Sequence, residues 1–496
     1  MSKYVLTIDA GTTSERAILF NKQGEIVNVS QREFEQFYPK PGWVEHSPLE
    51  IWETQKFTIN DVIEKQGIGA NDIAAIGITN QRETTLVWDK KTGKAIYKAI
   101  VWQDRRTADF CEKLKSDGHV EKVQEKTGLL IDAYFSASKI RWILDQVDGA
   151  QAKAENGELA FGTVDTWLLW KLTNGKVHAT DVSNASRTML YNIHDLDWDD
   201  DLLELFNVPR SMLPEVKQSS DDFGHTDASH FGVEIPIGGI AGDQQSALFG
   251  QMCTESGMVK NTYGTGCFII MNTGKEAFKS KHKLLTTIGW KVNGEICYAL
   301  EGSIFIGGAI VQWLRDNVHF VNAAPEIEAL AQTVEDNGGV YFVPGFVGLG
   351  APHWDQFSTG LMIGLTRGTQ KGHIARAALE ALALQSMEVI ETMSLDSGIE
   401  IKEMRVDGGA SANNLLMQIQ SDVTDLEIVR PSIVETTAQG AAFLAGLAVG
   451  YWKDTDEIQR LWKAERTFSP SGKDTSKMKK NWARAVERAK VWVEND

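Results

Sequence analysis

Residues 4–20 read Tyr-Val-Leu-Thr-Ile-Asp-Ala-Gly-Thr-Thr-Ser-Glu-Arg-Ala-Ile-Leu-Phe. Two β-prone runs, residues 4–8 and 17–20, flank a polar turn over residues 9–16. The turn offers Asp9, a glycine, three hydroxyls and the Arg16 guanidinium. Gly11 lets backbone N–H groups approach an anion with no Cβ in the way. Thr12, Thr13 and Ser14 add hydroxyl donors, Arg16 adds positive charge, and Asp9 can hold a divalent cation through water. A nucleotide's terminal phosphates and their Mg²⁺ require that inventory. Short Gly/Thr/Ser turns also occur in ordinary solvated hairpins, so this stretch alone leaves both readings open.

The chain continues as alternating strand-like and helical runs, the pattern of an α/β protein. A Lys22-Gln23-Gly24 turn leads to a strand over 26–29, a helix over 48–65 and a buried strand over 73–78. Residues 139–145 read as a short amphipathic helix, and 161–173 as a strand running into a helix. The second half echoes the first: a strand over 258–262, the turn Tyr263-Gly264-Thr265-Gly266, and a returning strand over 267–271. A long helix over 373–394, a strand over 404–406 and an Ala/Gly-rich helix over 436–449 follow. The expectation is two duplicated domains facing a cleft, 1–250 and 251–496, ending in a charged helical surface segment after Asp454.

At 496 residues the chain is too long for one core. Lys and Arg number 50 against 67 Asp and Glu, a net charge of −17 spread along the chain, which argues against nucleic-acid or anionic-membrane partners. Any phosphate substrate needs positive charge supplied locally. Cys111, Cys253, Cys267 and Cys297 are far apart, which fits reduced thiols in a cytoplasmic protein rather than disulfides or a zinc site. No apolar run approaches the ~20 residues of a membrane span.

Neither Gly-x-x-x-x-Gly-Lys-Ser/Thr nor a strand-linked Gly-x-Gly-x-x-Gly occurs, so nucleotide binding needs another scaffold. Three elements offer one: residues 9–16, Gly264-Thr265-Gly266, and Asp407-Gly408-Gly409-Ala410. The last precedes a helix over 411–421, whose amides can face a phosphate or adenosine and whose first turn carries Asn413. Ile240-Ala241-Gly242-Asp243 sets an acid at the end of an apolar strand. There it can take a proton from a hydroxyl nucleophile, although a helix cap is the commoner use of such an Asp. Arg82 and Glu83 end the strand over 73–78 and form a donor–acceptor pair suited to vicinal hydroxyls. Trp102, Tyr134 and Phe268 can wall off a small polyol's carbons, although buried aromatics are more often plain core.

These motifs resemble the FGGY family of carbohydrate kinases. The matching stretches run from Ile8-Asp9 to Gly450 and include Pro41-Gly42-Trp43-Val44-Glu45-His46, residues 77–84, 134–142, 161–167, 184–189, 241–250, 261–266 and 405–410. The resemblance implies a two-domain actin/Hsp70/hexokinase-like ATPase (ribonuclease H-like) fold, with duplicated domains around a cleft. It implies ATP- and Mg²⁺-dependent phosphorylation of glycerol to sn-glycerol 3-phosphate by a cytoplasmic homodimer or homotetramer. By the same resemblance Arg82, Glu83, Tyr134, Asp243 and Gln244 bind the hydroxyls of glycerol, and Trp102 and Phe268 contact its carbons. Asp243 is the general base. Thr12, Thr13, Ser14, Arg16 and Thr265 hold the phosphates, Gly308, Gln312, Gly409 and Asn413 the nucleoside, and Asp9 and Asp243 the Mg²⁺.

The sequence departs from the family pattern in places. Ala10 stands where Gln is usual, Ala133 where proline precedes the tyrosine, and Leu361-Met362 and Ser411 are atypical. In residues 220–236, Glu234 replaces the arginine with which some relatives bind fructose 1,6-bisphosphate, so that inhibition is not expected. His230 lies near the histidine that a phosphotransferase-system protein modifies in other relatives, which makes it a candidate phosphosite against the alternative of an exposed loop histidine. Two rival functions stand beside the main one: a kinase for another small polyol or ketose, and a non-catalytic nucleotide-binding module.

Overall fold

The computed structural model describes residues 3–493. Its first two strands, β1 (Tyr4–Ala10) and β2 (Ser14–Phe20), are joined by residues 11–13 alone. The eight-residue turn expected from the sequence is therefore mostly strand. Antiparallel pairing continues to Asp9↔Arg16 and Ala10↔Glu15, because polar residues satisfy the ladder as well as apolar ones and simply alternate faces. Asp9 and Arg16 share one face; Ala10 and Glu15, both fully buried, share the other.

The meander continues through β3 (Ile26–Glu33). Helix α1 (Pro48–Gln66) begins with Ser47 accepting from the Glu50 N–H and Pro48 in the first turn, and ends at Gly67 in the left-handed region. Ile51, Ile59 and Val62 pack it on Leu6, Ile8 and Leu19 of the sheet. Next come β4 (Ile73–Asn80) and, after an excursion of some 150 residues, β5 (Ile237–Gly242). Sheet order is β5-β4-β1-β2-β3, with β1, β4 and β5 parallel. The excursion includes α2 (Ser136–Gln146) and α3 (Val164–Leu172).

Helix α4 (Asp243–Gly250) then leads to β6 (Met258–Tyr263), β7 (Cys267–Gly274), β8 (Leu285–Val292) and β9 (Glu295–Ile304). Later come α5 (Ala309–Asp316), α6 (Lys371–Ser397), β10 (Glu403–Asp407), α7 (Asn414–Thr424), β11 (Ile428–Pro431) and α8 (Thr436–Ala448). The second sheet runs β8-β9-β7-β6-β10-β11, closed by β12 (Ala464–Phe468). Its core, β9-β7-β6-β10-β11, repeats the order and directions of the first sheet. The duplicated α/β fold expected from the two matching hairpins is present.

Helices α4 and α8 each lie on the other half's sheet. Ala438, Ala442 and Ala445 of α8 pack with Val5, Ile18 and Ala75 of the first sheet, while Leu248 and Phe249 of α4 pack with Ile270 and Ala299 of the second. The Thr7 hydroxyl donates to the Ala438 carbonyl at 3.0 Å. The two helices meet backbone to backbone: a Cβ on Gly440 would overlap the Ser246 carbonyl, and one on Gly250 the Thr436 carbonyl. The small residues of α8 permit that approach.

The C-terminal segment departs from expectation. It is not a surface appendage, since β12 extends the second sheet and α9 (Ser476–Ala489) buries Trp482, Ala485 and Val486 in the second core. Among the described residues no helix is long and apolar enough to cross a membrane.

Candidate active site

The parallel strands of the first sheet end level with one another: Asp9 is in register with Thr79, and Thr79 with Ala241. The chain leaves the sheet at three adjacent points, delivering residues 11–13, 81–83 and Asp243 to one edge, where α/β sheets place ligands. Asp243 opens α4, accepts from the Gln244 N–H at 2.7 Å and keeps 33% of its side chain exposed. Desolvation raises its carboxyl above the ordinary aspartate value, against the pull of Arg82 and Lys260.

A buried ionic cluster backs this carboxylate. Arg82 Nε lies 3.0 Å from Asp243 Oδ1, and its Nη1 and Nη2 meet the Glu301 carboxylate at 2.5 and 3.1 Å. Arg187 Nε donates to Glu83 at 2.6 Å, and its Nη2 to Glu301 at 3.1 Å. Arg82 and Glu83 therefore do not grip each other; Nε and Oε1 are 3.9 Å apart. Glu83 itself has φ +61°, costly for a residue with a side chain. Its carbonyl is pinned there by Thr85 Oγ1 at 3.0 Å, Ser136 Oγ at 3.1 Å and Lys139 Nζ at 3.3 Å. Burial lowers the Lys139 ammonium to about 8.

Aromatic walls stand beside this cluster. Trp102 and Tyr134 meet edge to face at 5.7 Å, and the Trp102 indole N–H donates to Thr12 Oγ1 at 3.0 Å. Burial, with Glu83 alongside, pushes the Tyr134 phenol well above its ordinary range, so it stays a neutral donor. Phe268 is half-buried on β7, opposite Thr262 on one side and Ser303 on the other.

One glycine turn lies in each half. In the first, Arg16 bridges Asp9 and Glu435, the latter at 2.6 Å and contributed by the residue before α8. Burial raises the Asp9 carboxyl against the opposing charge of Arg16. Thr13 is exposed, and Ser14 Oγ accepts from Gln31 at 3.1 Å. In the second, the Gly307 and Gly308 N–H groups donate to the carbonyls of Thr265 and Gly264 at 2.7 and 2.8 Å, seating the turn on the start of α5. Gln312 lies exposed on α5. Gly409 is exposed in the short 3₁₀ turn after β10, and Asn413 is the N-cap of α7, its side-chain oxygen accepting from the Leu416 N–H at 2.9 Å, rather than a first-turn residue.

His230 stands apart from this site and is not an exposed loop residue. Its ring packs edge-on against Trp52 at 5.1 Å, and its Nε2–H donates to the Lys171 carbonyl at 3.0 Å. Burial lowers its pKa, keeping the ring neutral.

Reasoning from the sequence passed over Arg187, Glu301, Lys260 and Lys139. Lys260 is buried, with Nζ 2.5 Å from Gln244 Oε1 and 2.8 Å from Thr262 Oγ1. Each is a charge inside an otherwise apolar or small-residue run, a signal that was available but unused.

Duplicated sheets, each with a Gly/Thr turn between its first two strands, and a carboxylate at the end of a parallel strand are the parts of a two-domain phosphotransferase. The chain belongs to the FGGY family of carbohydrate kinases: residues 4–250 match its N-terminal domain and 259–449 its C-terminal domain. It is 60% identical over 494 residues to a glycerol kinase of Paraburkholderia phytofirmans, covering 99% of each chain. With the glycerol kinase of Petrotoga mobilis it shares 59% identity over 496 residues, all of both chains. Among solved structures, the Plasmodium falciparum glycerol kinase with ADP superposes with a TM-score of 0.93 at 37% identity, covering 99% of both chains. A xylulose kinase from Rhodospirillum rubrum, at 22% identity over 98% of both chains and a TM-score of 0.86, shares the fold.

Proposed function

We propose that this chain phosphorylates glycerol at the expense of ATP, yielding sn-glycerol 3-phosphate. The observation that carries this reading is the 60% identity over 99% of both chains with a named glycerol kinase. Kinases for larger sugars share the fold at about a third of that identity. The site supports it chemically. Asp243 faces the cleft beside Arg82 and takes the proton of the attacking hydroxyl. Arg82, Glu83, Tyr134 and Gln244 orient the hydroxyls, and Trp102 and Phe268 line the carbon side.

The γ-phosphoryl lies between the hairpins, met by Thr12, Thr13, Ser14 and Arg16 from one half and Thr265 from the other. Gly308, at the N-cap of α5, with Gln312, Gly409 and Asn413 takes the nucleoside side. Positioning and charge neutralisation supply most of the catalysis. Among the described residues no three His, Cys, Asp or Glu are close enough to hold a metal alone. Asp9 and Asp243 on one sheet edge do fit Mg²⁺, which usually takes one or two carboxylates plus phosphate oxygens and water. When bound, Mg²⁺ neutralises the charge of the transferring phosphate.

A coupled assay with MgATP and a polyol panel tests the reading. Glycerol should be turned over fastest, and Asp243→Asn should lower kcat by about 10³-fold, within the usual range for loss of a general base. Faster turnover of xylulose or erythritol would sink the substrate assignment. Near-normal activity of Asp243→Asn would remove the base.

A further inference from the structure

We propose that Glu301, contributed by β9 of the second half, is a positioning residue for phosphoryl transfer: through Arg82 and Arg187 it sets the orientation of Asp243 and Glu83 in the first half. The proposal rests on the glycerol-phosphorylating reading above and deepens it.

The geometry is a chain of contacts. Glu301 is fully buried and spends both carboxylate oxygens on guanidinium groups, Oε2 at 2.5 Å from Arg82 Nη1 and Oε1 at 3.1 Å from both Arg82 Nη2 and Arg187 Nη2. Two-point attachment fixes the plane of the Arg82 fork. With that plane fixed, Arg82 Nε is aimed at Asp243 Oδ1, 3.0 Å away, and Arg187 Nε at Glu83 Oε1, 2.6 Å away. Gln245 Oε1 accepts a further bond from Arg82 Nη1 at 3.2 Å. Glu301 touches neither Asp243 nor Glu83 directly; its effect on them passes through the two arginines.

Register explains why the second half can reach so far. Glu301 is paired with Ile270 on β7, whose own partner on β6 is Lys260, and Ile270 packs against Leu248 and Phe249 of α4. Glu301 and Lys260 therefore share the face that carries α4, the helix Asp243 begins. The groups facing Glu301 are Arg82, Arg187 and Lys260, with Glu83, Asp243 and Tyr134 beyond them. Removing its charge leaves two buried guanidinium groups with less compensation and frees the Arg82 fork to turn away from Asp243. Burial opposes ionisation of Glu301, but Arg187 and Arg82 outweigh it and hold the carboxyl well below the ordinary glutamate range, so it is charged throughout the working range.

The test is steady-state kinetics of the full-length protein, with MgATP and glycerol varied in turn, on wild type, Glu301→Gln and Glu301→Asp. Wild type that turns over no glycerol would defeat the functional reading, not this inference. With wild type active, Glu301→Gln should lower kcat by about 100-fold, the scale of a lost preorganised electrostatic contact. It should also raise the KM for glycerol by about tenfold, with that for ATP within about twofold. That split, with glycerol affected and ATP spared, is one that a merely structural loss would not produce. Glu301→Asp keeps the charge but cannot span both guanidinium groups. It should recover part of the loss, down about tenfold in kcat from wild type, and it carries the test if Glu301→Gln does not fold. Glu301→Gln rates within threefold of wild type, or an equal rise in the KM for glycerol and for ATP in that variant, would overturn the proposal, as would wild-type kcat in Glu301→Asp.

Discussion

The two hairpins of this chain have the same topology and are held in place by different means. The first, between β1 and β2, is fixed by side chains: Arg16 spans Asp9 and Glu435, Trp102 reaches Thr12, and the amides of Gln36 and Gln81 bond to the Thr12 and Gly11 carbonyls at 3.1 and 3.0 Å. The second, between β6 and β7, is fixed by backbone: Gly264, Thr265, Gly307 and Gly308 bond one another with no side chain interposed. Duplication conserved the ladder and left each half to solve the turn locally. The first turn is the more tunable, since a side chain can be exchanged. The second depends on the absence of side chains.

The sharpest way to break this contrast is to add one methyl group to each turn. A Cβ on Gly266 would sit 2.5 Å from the Ile304 carbonyl and 3.1 Å from that of Phe305, both backbone. Gly266→Ala should cost about 2–3 kcal/mol of stability in urea titration, as strain forced on a tight backbone site does. ATP-dependent turnover should fall steeply with it. Gly11→Ala meets only the Ser14 carbonyl, at 3.0 Å, and should cost less than half as much. Equal losses would mean that the two turns are held alike.

Side-chain removal should reverse the ranking. Arg16→Ala removes the bridge to Asp9 and Glu435 and should lower kcat/KM for ATP by about 100-fold, with the KM for glycerol little changed. Thr265→Ala removes an exposed side chain and should cost less than about tenfold. A larger loss for Thr265→Ala would show that the second turn also works through its side chain.

The smallest effect concerns Glu15, across from Ala10 in the first hairpin. Glu15 is fully buried, and neither carboxylate oxygen has a partner. Burial, with the nearby Asp9 charge, pushes its pKa well above the ordinary value, so the folded protein holds a neutral acid there. The folded state thus binds a proton that the unfolded chain gives up. Wild-type stability should fall as pH rises from the unfolded carboxylate range towards the raised folded value. Glu15→Gln should flatten that slope, gaining on the order of 1 kcal/mol at pH 8 and nothing near pH 4. Urea titrations at the two pH values measure it; parallel pH dependence in both proteins would show that Glu15 is already ionised.

Much of the fold was legible because strand–turn–strand units announce themselves locally. Residues 4–20 and 258–271 each carry two β-prone runs around glycine, and Asp243 ends an apolar run just before a helix. The resemblance supplied residue roles that patterning could not. Where the reading fell short, the missing information was pairing. Nothing between residues 9 and 16 says how far the ladder extends, so Ala10 was read as part of the turn although it is a buried strand residue facing Glu15. The C-terminal run of lysines and arginines hid Trp482 and Val486, spaced as one buried face of α9. His230 gave no sign that Trp52, far along the chain, covers its ring.

Local periodicity and short motifs were enough for two α/β halves, two Gly/Thr turns, an acid at a strand end and membership of a kinase family. Which charges meet depends on packing between distant segments. Glu435 reaches Arg16 from 419 residues away, and Glu301 reaches Arg82 from 219. A charged residue in sequence is read as solvated until a sheet or helix removes the water around it. Once buried it must find an opposite charge or, like Glu15, keep its proton, and the packing of α4 and α8 on the opposite sheets brings the partners of Arg16 and Arg82 together.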